Sequence, residues 1–400
     1  MTPPSRRVRA LSIHTNYRCR NSGVCCSSGW DIPVEPEVEL HLRNALRSGT
    51  LRVPEASCFR PVAGLPHGAR VVFQTDSTGR CVFLEADGRC AVHRQLGLEA
   101  LASACRDFPR VATLTPLGVS VTLSHYCPTA AALLFAPVIP RDIRLPGPEG
   151  SAVDIVADPP SFPPSRSYEG LDARDALPPL LRPGVLMDWP SLERWEHFAV
   201  SVLADEGRSP EAALDVLAAT AEEARRWTPD DGPLEGYLAR VLSSRGTSVG
   251  LVPRDPQSRD SGTAWPLVAD CVPHRALLPR PPDGLDEADD RWVAPSWSAL
   301  GQPIRRWLAA KAFASWLALQ GEGLRTTVAS LRVALGVLRA EAVRGCAGTR
   351  RELDADLLKE AIRRADLLLV HLADPEALAR RLSRCESATG GEVASSLLVI

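Results

Sequence analysis

The sequence predicts a mainly α protein with a small irregular α+β cysteine-rich domain at its N-terminus. Three observations predict it. Eight of the eleven cysteines fall between Cys19 and Cys127, separated by short turns such as Thr75-Asp76-Ser77-Thr78-Gly79 and Glu85-Ala86-Asp87-Gly88. Twelve of the 35 prolines fall between Pro137 and Pro190, a density that no continuous core tolerates. Beyond them apolar residues recur at helical spacing, as at Leu324, Val328, Leu331, Leu335 and Leu338, and again at Leu358, Ile362, Ala365, Leu369 and Leu372. The expected organisation is a cysteine-cluster domain over residues 1–136, a Pro-rich linker over 137–190, and a helical domain over 191–400 with a loop-rich insertion around 252–295.

Composition narrows the class. A chain of 400 residues suits two or three domains of roughly 100–200 residues each. Hydrophobic content of 45% and charged content of 24% are those of a soluble globular protein. A net charge of −2 offers nothing to nucleic acid or an acidic membrane. No apolar run approaches the roughly 18 residues of a membrane span, and Met1 to Arg9 lacks the apolar centre of a secretory signal. An odd cysteine count and the adjacent pair Cys25-Cys26 argue against a secreted disulfide framework, so a cytoplasmic location is expected.

In chain order, Met1 to Arg18 reads as an arm ending in the apolar Leu11 and Ile13, with Tyr17 just before the first cysteine. Cys19 to Trp30 is a Ser/Gly/Asn-rich loop. Asp31 to Pro36 is extended, because residues before proline avoid the helical region, and Glu37 to Leu46 follows as a helix. Val71-Val72-Phe73 and Cys81 to Leu84 read as small antiparallel strands, and the Asp87-Gly88 turn leads to Cys90-Ala91-Val92. A helix is expected over Leu96 to Ala104. Val111 to Leu114 and Val119 to Leu123 form a hairpin around Pro116 and Gly118, and Cys127-Pro128 opens another helix. One strand, Val153 to Val156, interrupts the Pro-rich stretch. Helices resume at Leu192 to Leu203, Pro210 to Trp227 and Leu234 to Leu242, and Asp374-Pro375 breaks the last long one. No internal repeat is visible.

Chemistry concentrates in the cysteines. Cys271, Cys346 and Cys385 stand far apart and suit plain packing, since an isolated thiol behaves as a small hydrophobe. The N-terminal group does not suit it: two are adjacent, Cys81 and Cys90 flank a turn, and Cys127 precedes a proline at a helix start. Thiolates converging on metal would supply folding free energy to a region with few long apolar runs. Structural zinc sites usually present Cys-x-x-Cys knuckles, and none occurs here. Irregular loops are equally compatible with an iron–sulfur cluster, which takes four ligands per cubane. Cys58 stands apart from the others.

The run Cys19…Cys25-Cys26-Ser27-Ser28-Gly29-Trp30-Asp31-Ile32 is similar to the opening of the flagellin lysine-N-methylase (FliB-like) family. So are Cys81-Val82-Phe83-Leu84…Gly88-Arg89-Cys90, Ala104-Cys105-Arg106-Asp107-Phe108-Pro109-Arg110 and Leu123-Ser124-His125-Tyr126-Cys127-Pro128. The same pieces resemble the broader YkgJ-type cysteine-cluster proteins, which chelate zinc or iron. The resemblance covers roughly the first third of the chain. It implies an iron–sulfur protein that transfers a methyl group from S-adenosylmethionine to lysine side chains of a protein, with Cys19, Cys25, Cys26, Cys81, Cys90, Cys105 and Cys127 as metal thiolates.

No Gly-x-Gly-x-x-Gly follows a strand, so the usual nucleotide-binding turn is not what would hold the donor. Trp30, Arg106, Arg110 and His125 are the candidates for cofactor binding. Trp30 would cover the metal from water, the arginines would hold a carboxylate bidentately, and imidazole binds iron or zinc. Glu35, Asp107 and His125 are the nearest proton acceptors in sequence. Each has a plainer alternative: Glu35 as a loop or cap residue, Asp107 paired with Arg106 or Arg110, His125 packed in a core, and Trp30 filling a gap. Two other functions stand beside the methylase: a non-enzymatic zinc- or iron-binding module, and a redox protein cycling a thiol pair.

Overall fold

β1 (Val8–Leu11) is buried along its whole length in the computed structural model, which describes residues 7–53, 57–65, 68–137, 153–164, 166, 168, 170–245, 261–273, 278 and 285–384. Cys385, the first six residues and, within the loop-rich insertion expected around 252–295, residues 252–260, 274–277 and 279–284 lie outside them. After β1 come a single turn at Ser12–His14, the cysteine-bearing loop, β2 (Pro33–Val34) and α1 (Pro36–Ser48). Pro36 sits in the first turn of α1, where its missing N–H costs nothing. β3 (Phe59–Pro61) and β4 (Val71–Phe73) join β2 in a three-stranded sheet of order β2-β4-β3. Phe83 packs edge to face on Phe59 and Phe73, which are tilted against each other, with centroids 5.2–6.4 Å apart.

Two expectations in this region change. Cys81 to Leu84 is not a strand: single bridges, Thr75 to Cys81 and Leu84 to Cys90, close two successive turns. The helix expected over Leu96 to Ala104 is split into α2 (Ala91–Leu96), a short turn at Leu98–Ala100, and α3 (Ser103–Asp107). Gly97 lies between them at φ 91°, a conformation that a helix interior excludes. The hairpin holds, as β5 (Arg110–Thr115) and β6 (Gly118–Leu123), and α4 (Pro128–Leu133) starts after Cys127.

The Pro-rich segment does more than link. β7 (Ile155–Ala157) and β8 (Gly170–Asp172) are the outer strands of a five-stranded sheet, β7-β1-β6-β5-β8. Proline is tolerated at sheet edges because no partner waits for its N–H. β9 (Leu180–Arg182) and β10 (Val185–Leu186) then form a small hairpin. Within the large sheet β1 runs parallel to β6, Val8 opposite Val119, while β5 and β6 are antiparallel, Arg110 opposite Leu123.

The rest is helical. α5 (Trp189–Ala204) is capped by Asp188, whose Oδ1 accepts from Ser191 N at 2.7 Å, and α6 (Pro210–Ala224) is capped by Ser209. α7 (Leu234–Arg245), α8 (Ser261–Ala269), α9 (Leu285–Ala288) and α10 (Ala294–Trp297) follow, with a π turn at Asp289–Val293. Helix α8 lies where a loop was expected. Pro266 lowers its propensity, but Trp265 and Val268 bury themselves in the helical core and override that. α11 (Gly301–Ala312), α12 (Trp316–Gln320), α13 (Leu324–Thr349) and α14 (Ala355–Asp366) complete the set, and α14 runs into a second π turn, Leu367–Leu372. α13 carries buried side chains around most of its circumference, as a central helix must.

Sheet and helices share one packing unit. Leu11, Leu134 and Val153 belong to the same buried cluster as the helical core. Arg9 of β1 donates to Ser120 Oγ at 2.7 Å and to Glu196 Oε2 of α5 at 2.8 Å. Thr113 Oγ1 donates to Ala314 O at 2.9 Å. Among the described residues no helix is long and apolar enough to cross a membrane.

Candidate functional site

Parallel pairing of β1 with β6 sets the site. Their C-terminal ends lie side by side, so the residues after each strand meet although more than a hundred positions separate them. His14 Nε2 comes 3.2 Å from His125 Nε2, and the Tyr17 hydroxyl 3.8 Å from Cys127 Sγ. β5 begins at the same end, placing Arg110 there too. The cysteine-rich segment is the long excursion between β1 and β5, pinned at both ends by the sheet.

Within it, two turns repeat. Asp76 N donates to Arg80 O and Gly79 N to Asp76 O; likewise Glu85 N donates to Arg89 O and Gly88 N to Glu85 O, all within 2.8–3.0 Å. Cys81 and Cys90 occupy equivalent positions after them, so the sequence does carry a short repeat, Gly79-Arg80-Cys81 and Gly88-Arg89-Cys90, against the expectation of none. The first loop docks on both turns. A Cβ on Gly23 (φ 70°) would meet Gly88 O at 2.8 Å, and one on Gly79 would meet Gly29 Cα at 3.0 Å. Cys81 N donates to Cys26 O at 2.7 Å, locking the loop to the first turn. Side chains larger than hydrogen at these contacts would hold the thiols apart.

A cavity of about 670 Å³ opens where these loops meet the sheet, and six of the seven candidate ligands line it: Cys19, Cys25, Cys26, Cys90, Cys105 and Cys127. Cys81 lies behind the wall, buried with the phenylalanines, and Cys58 is part of the same apolar core. The ten described cysteines are all free thiols. Their electrostatics divide the candidates into two groups. Cys25, Cys26, Cys81, Cys90 and Cys105 act on one another's charge, whereas Cys19 and Cys127 act on Tyr17.

Burial and neighbouring sulfurs push thiol pKa values up: Cys81 to about 12, Cys105 well above its ordinary value, and Cys90 in the same direction. The Cys25 and Cys26 sulfurs are 3.8 Å apart and share a hydrogen bond, which lowers Cys25 and raises Cys26. Among the described residues, no three Cys, His, Asp or Glu side chains are arranged to hold a single metal ion.

Other candidates separate clearly. Trp30 lines the cavity and packs on Phe108, Tyr126 and His371, with centroids 5.7, 5.2 and 4.4 Å away. Arg110 lines it as well, between the Tyr17 and Phe162 rings. Arg106 and His125 do not line it. The Arg106 carbonyl accepts from Arg166 Nη2 at 3.2 Å. His125 is fully buried, its backbone N–H donating to Asp366 Oδ2 at 2.5 Å and its Nδ1 3.3 Å from the same oxygen. Asp107 pairs with Arg166, not with Arg106 or Arg110. Glu35 caps a helix other than its own: Oε1 accepts from Ser103 N at 3.1 Å and from the Ser103 hydroxyl, fixing the start of α3 two residues before Cys105.

Three lining residues come from the helical half, Trp316, Val370 and His371, and none carried a sequence signal. His371 falls within the π turn that ends α14, a distortion often found at functional sites. Its Nε2 lies 2.7 Å from Ser124 Oγ, and burial lowers its pKa to about 4. The imidazole therefore faces the cavity uncharged at neutral pH. No family model, curated protein or solved structure matches the chain.

Proposed function

We propose that this cavity holds an iron–sulfur cluster and that the chain transfers a methyl group from S-adenosylmethionine to lysine side chains of a protein. One observation supports the reading above others: six of the seven candidate thiols open onto one cavity that also has room for a small ligand. The donor set fits such a group in ligand type and number, although among the described residues no three of the side chains surround a single ion position. Cys25, Cys26, Cys90 and Cys105 line the cavity and belong to the mutually coupled set, and four thiolates match a cubane. Burial and neighbouring sulfurs hold Cys26, Cys90 and Cys105 protonated, while the Cys26 thiol lowers Cys25, so cationic iron is what would draw off the remaining protons.

When bound, the cluster would supply a Lewis-acidic iron beside the donor. The chain's own residues do the rest. Trp30 and Phe108 close one side against water. His371, held neutral, adds no positive charge against an incoming ammonium. In the transfer, the lysine ammonium gives a proton to solvent water, and its neutral nitrogen attacks the methyl carbon while the carbon–sulfur bond breaks and its electron pair stays on sulfur, leaving S-adenosylhomocysteine. Positioning is the main demand of such a step.

The leading alternative is a zinc-binding module. The 3.8 Å spacing of Cys25 and Cys26 sulfurs suits a shared ion, since zinc–sulfur bonds of about 2.3 Å place tetrahedral donors roughly 4 Å apart. Protein purified without oxygen separates the two. The cluster reading expects a brown protein with iron and acid-labile sulfide in comparable amounts, whose spectrum changes on adding S-adenosylmethionine. A colourless, zinc-loaded protein establishes the module, and an iron-loaded protein blind to S-adenosylmethionine removes the methylase.

A further inference from the structure

We infer that Arg110 is an anion subsite of the cavity and takes the carboxylate of a small ligand. The inference rests on the proposed methyl transfer, in which the donor's methionine carboxylate is the matching group.

Arg110 opens β5 and faces the cavity. The Tyr17 and Phe162 ring centroids each lie 5.7 Å from its guanidinium carbon, so aromatic surfaces hold the planar fork in place. Its Nε is buried without a partner, and among the described residues none of its nitrogens makes a hydrogen bond or ion pair. Asp107, the carboxylate whose field reaches Arg110, pairs with Arg166 instead. Among the described residues two guanidinium groups thus share one carboxylate, leaving one positive charge uncompensated in a protein wall. Burial, and then Arg166, disfavour that charge, so a bound anion relieves both. A single unpaired charge matches a monoanion such as a carboxylate, whereas a phosphate dianion would leave negative charge over. Past Arg110 the cavity continues along Val111 and Ala112 to Trp316, giving the rest of the ligand an apolar bed.

The test compares S-adenosylhomocysteine with its decarboxylated analogue on the full-length, anaerobically purified protein, by calorimetry, with iron and sulfide measured in every sample. Wild type is expected to prefer the carboxylate-bearing compound by at least about tenfold. Arg110→Gln should bring that ratio to within about twofold with iron retained. Should Arg110→Gln lose its iron, Arg110→Lys decides: it keeps the charge without the fork, so a partial loss of preference supports the subsite and full retention overturns it. No preference in wild type, or an unchanged preference in Arg110→Gln, also overturns it. So does inorganic phosphate outcompeting acetate in ligand-observed NMR. If neither adenosyl compound binds while acetate still binds through Arg110, the methyl-donor reading falls and the subsite stands. If methyl transfer proceeds with the preference unaltered in Arg110→Gln, the reverse holds.

Discussion

Lys311→Met should cost this protein a large part of its stability. Asp366 is fully buried, and Lys311 Nζ lies 2.7 Å from its Oδ1. Trp307 Nε1 donates to the same oxygen at 2.9 Å, and His125 N to Oδ2 at 2.5 Å. Burial alone would raise the Asp366 pKa; Lys311 and then His125 hold it well below the usual carboxylate range. Removing the lysine leaves a buried carboxylate with hydrogen bonds but no cation, which costs about 3–5 kcal/mol. That is a large share of a typical total of about 5–15 kcal/mol. Lys311→Met combined with Asp366→Asn should recover about 2 kcal/mol of the loss, because the carboxamide oxygen keeps a donor while the stranded charge disappears. Urea unfolding at neutral pH, followed by tryptophan fluorescence and far-UV circular dichroism, measures each variant. A Lys311→Met loss under about 1 kcal/mol, or a double variant worse than the lysine variant alone, would refute the reasoning.

Three further outcomes follow. Cys105→Ser should retain metal at least about tenfold less well than wild type; Cys346→Ser, in the helical core, should cost about 1–3 kcal/mol for its buried hydroxyl and leave metal untouched. Equal metal loss in both would return the N-terminal thiols to plain packing. Gly23→Ala forces a positive φ on a residue with a Cβ and pushes it into Gly88 O, so it should destabilise the chain by about 1–3 kcal/mol and lower iron content; a normal iron content would show that the loop–turn contact does not gather the thiols. Stability should also fall as pH drops below 6.5, because unfolded His14 and His371 take up protons there while the folded forms, lowered by burial, do not until His371 reaches about 4. Comparing urea midpoints between pH 7.5 and 4.5 checks this, and His371→Gln should flatten the slope.

Local signals made part of this molecule legible. The hairpin around Pro116 and Gly118 and the helix after Cys127-Pro128 follow from turn residues and alternation within a few positions, and the structure keeps both. Gathering of six thiols around one cavity was legible too, from adjacent cysteines and cysteines beside turns, but the packing role of Cys81 among the phenylalanines was not. Distant pairings were not. A strand was expected at Val153 to Val156 and β7 lies there, but nothing near Ile155 or Gly170 announces that β1 and β5 will claim them as neighbours, and β8 looked like linker. His371 hides in a stripe of leucines whose helical period reads as core, and a π turn shifts its register without a sequence mark.

The same nonlocality explains why seven similar cysteines do not make one equivalent set. Cys25, Cys26, Cys81 and Cys90 sit on loops and turns whose contacts are made by glycine against backbone, as Gly23 meets Gly88, and Cys105 sits on α3, whose start Glu35 fixes; all of these contacts are internal to the excursion between β1 and β5. Cys19 and Cys127 are placed by the sheet instead, through Tyr17 after β1 and the turn after β6. Arg110 enters from that same sheet edge. The cavity is therefore a seam: one wall carries thiols held by loop packing, and the other carries a cation held by strand register. A ligand with a soft, metal-facing part and an anionic part would bind across both walls, which is why the carboxylate comparison at Arg110 and the metal content of Cys105→Ser test separate halves of one site.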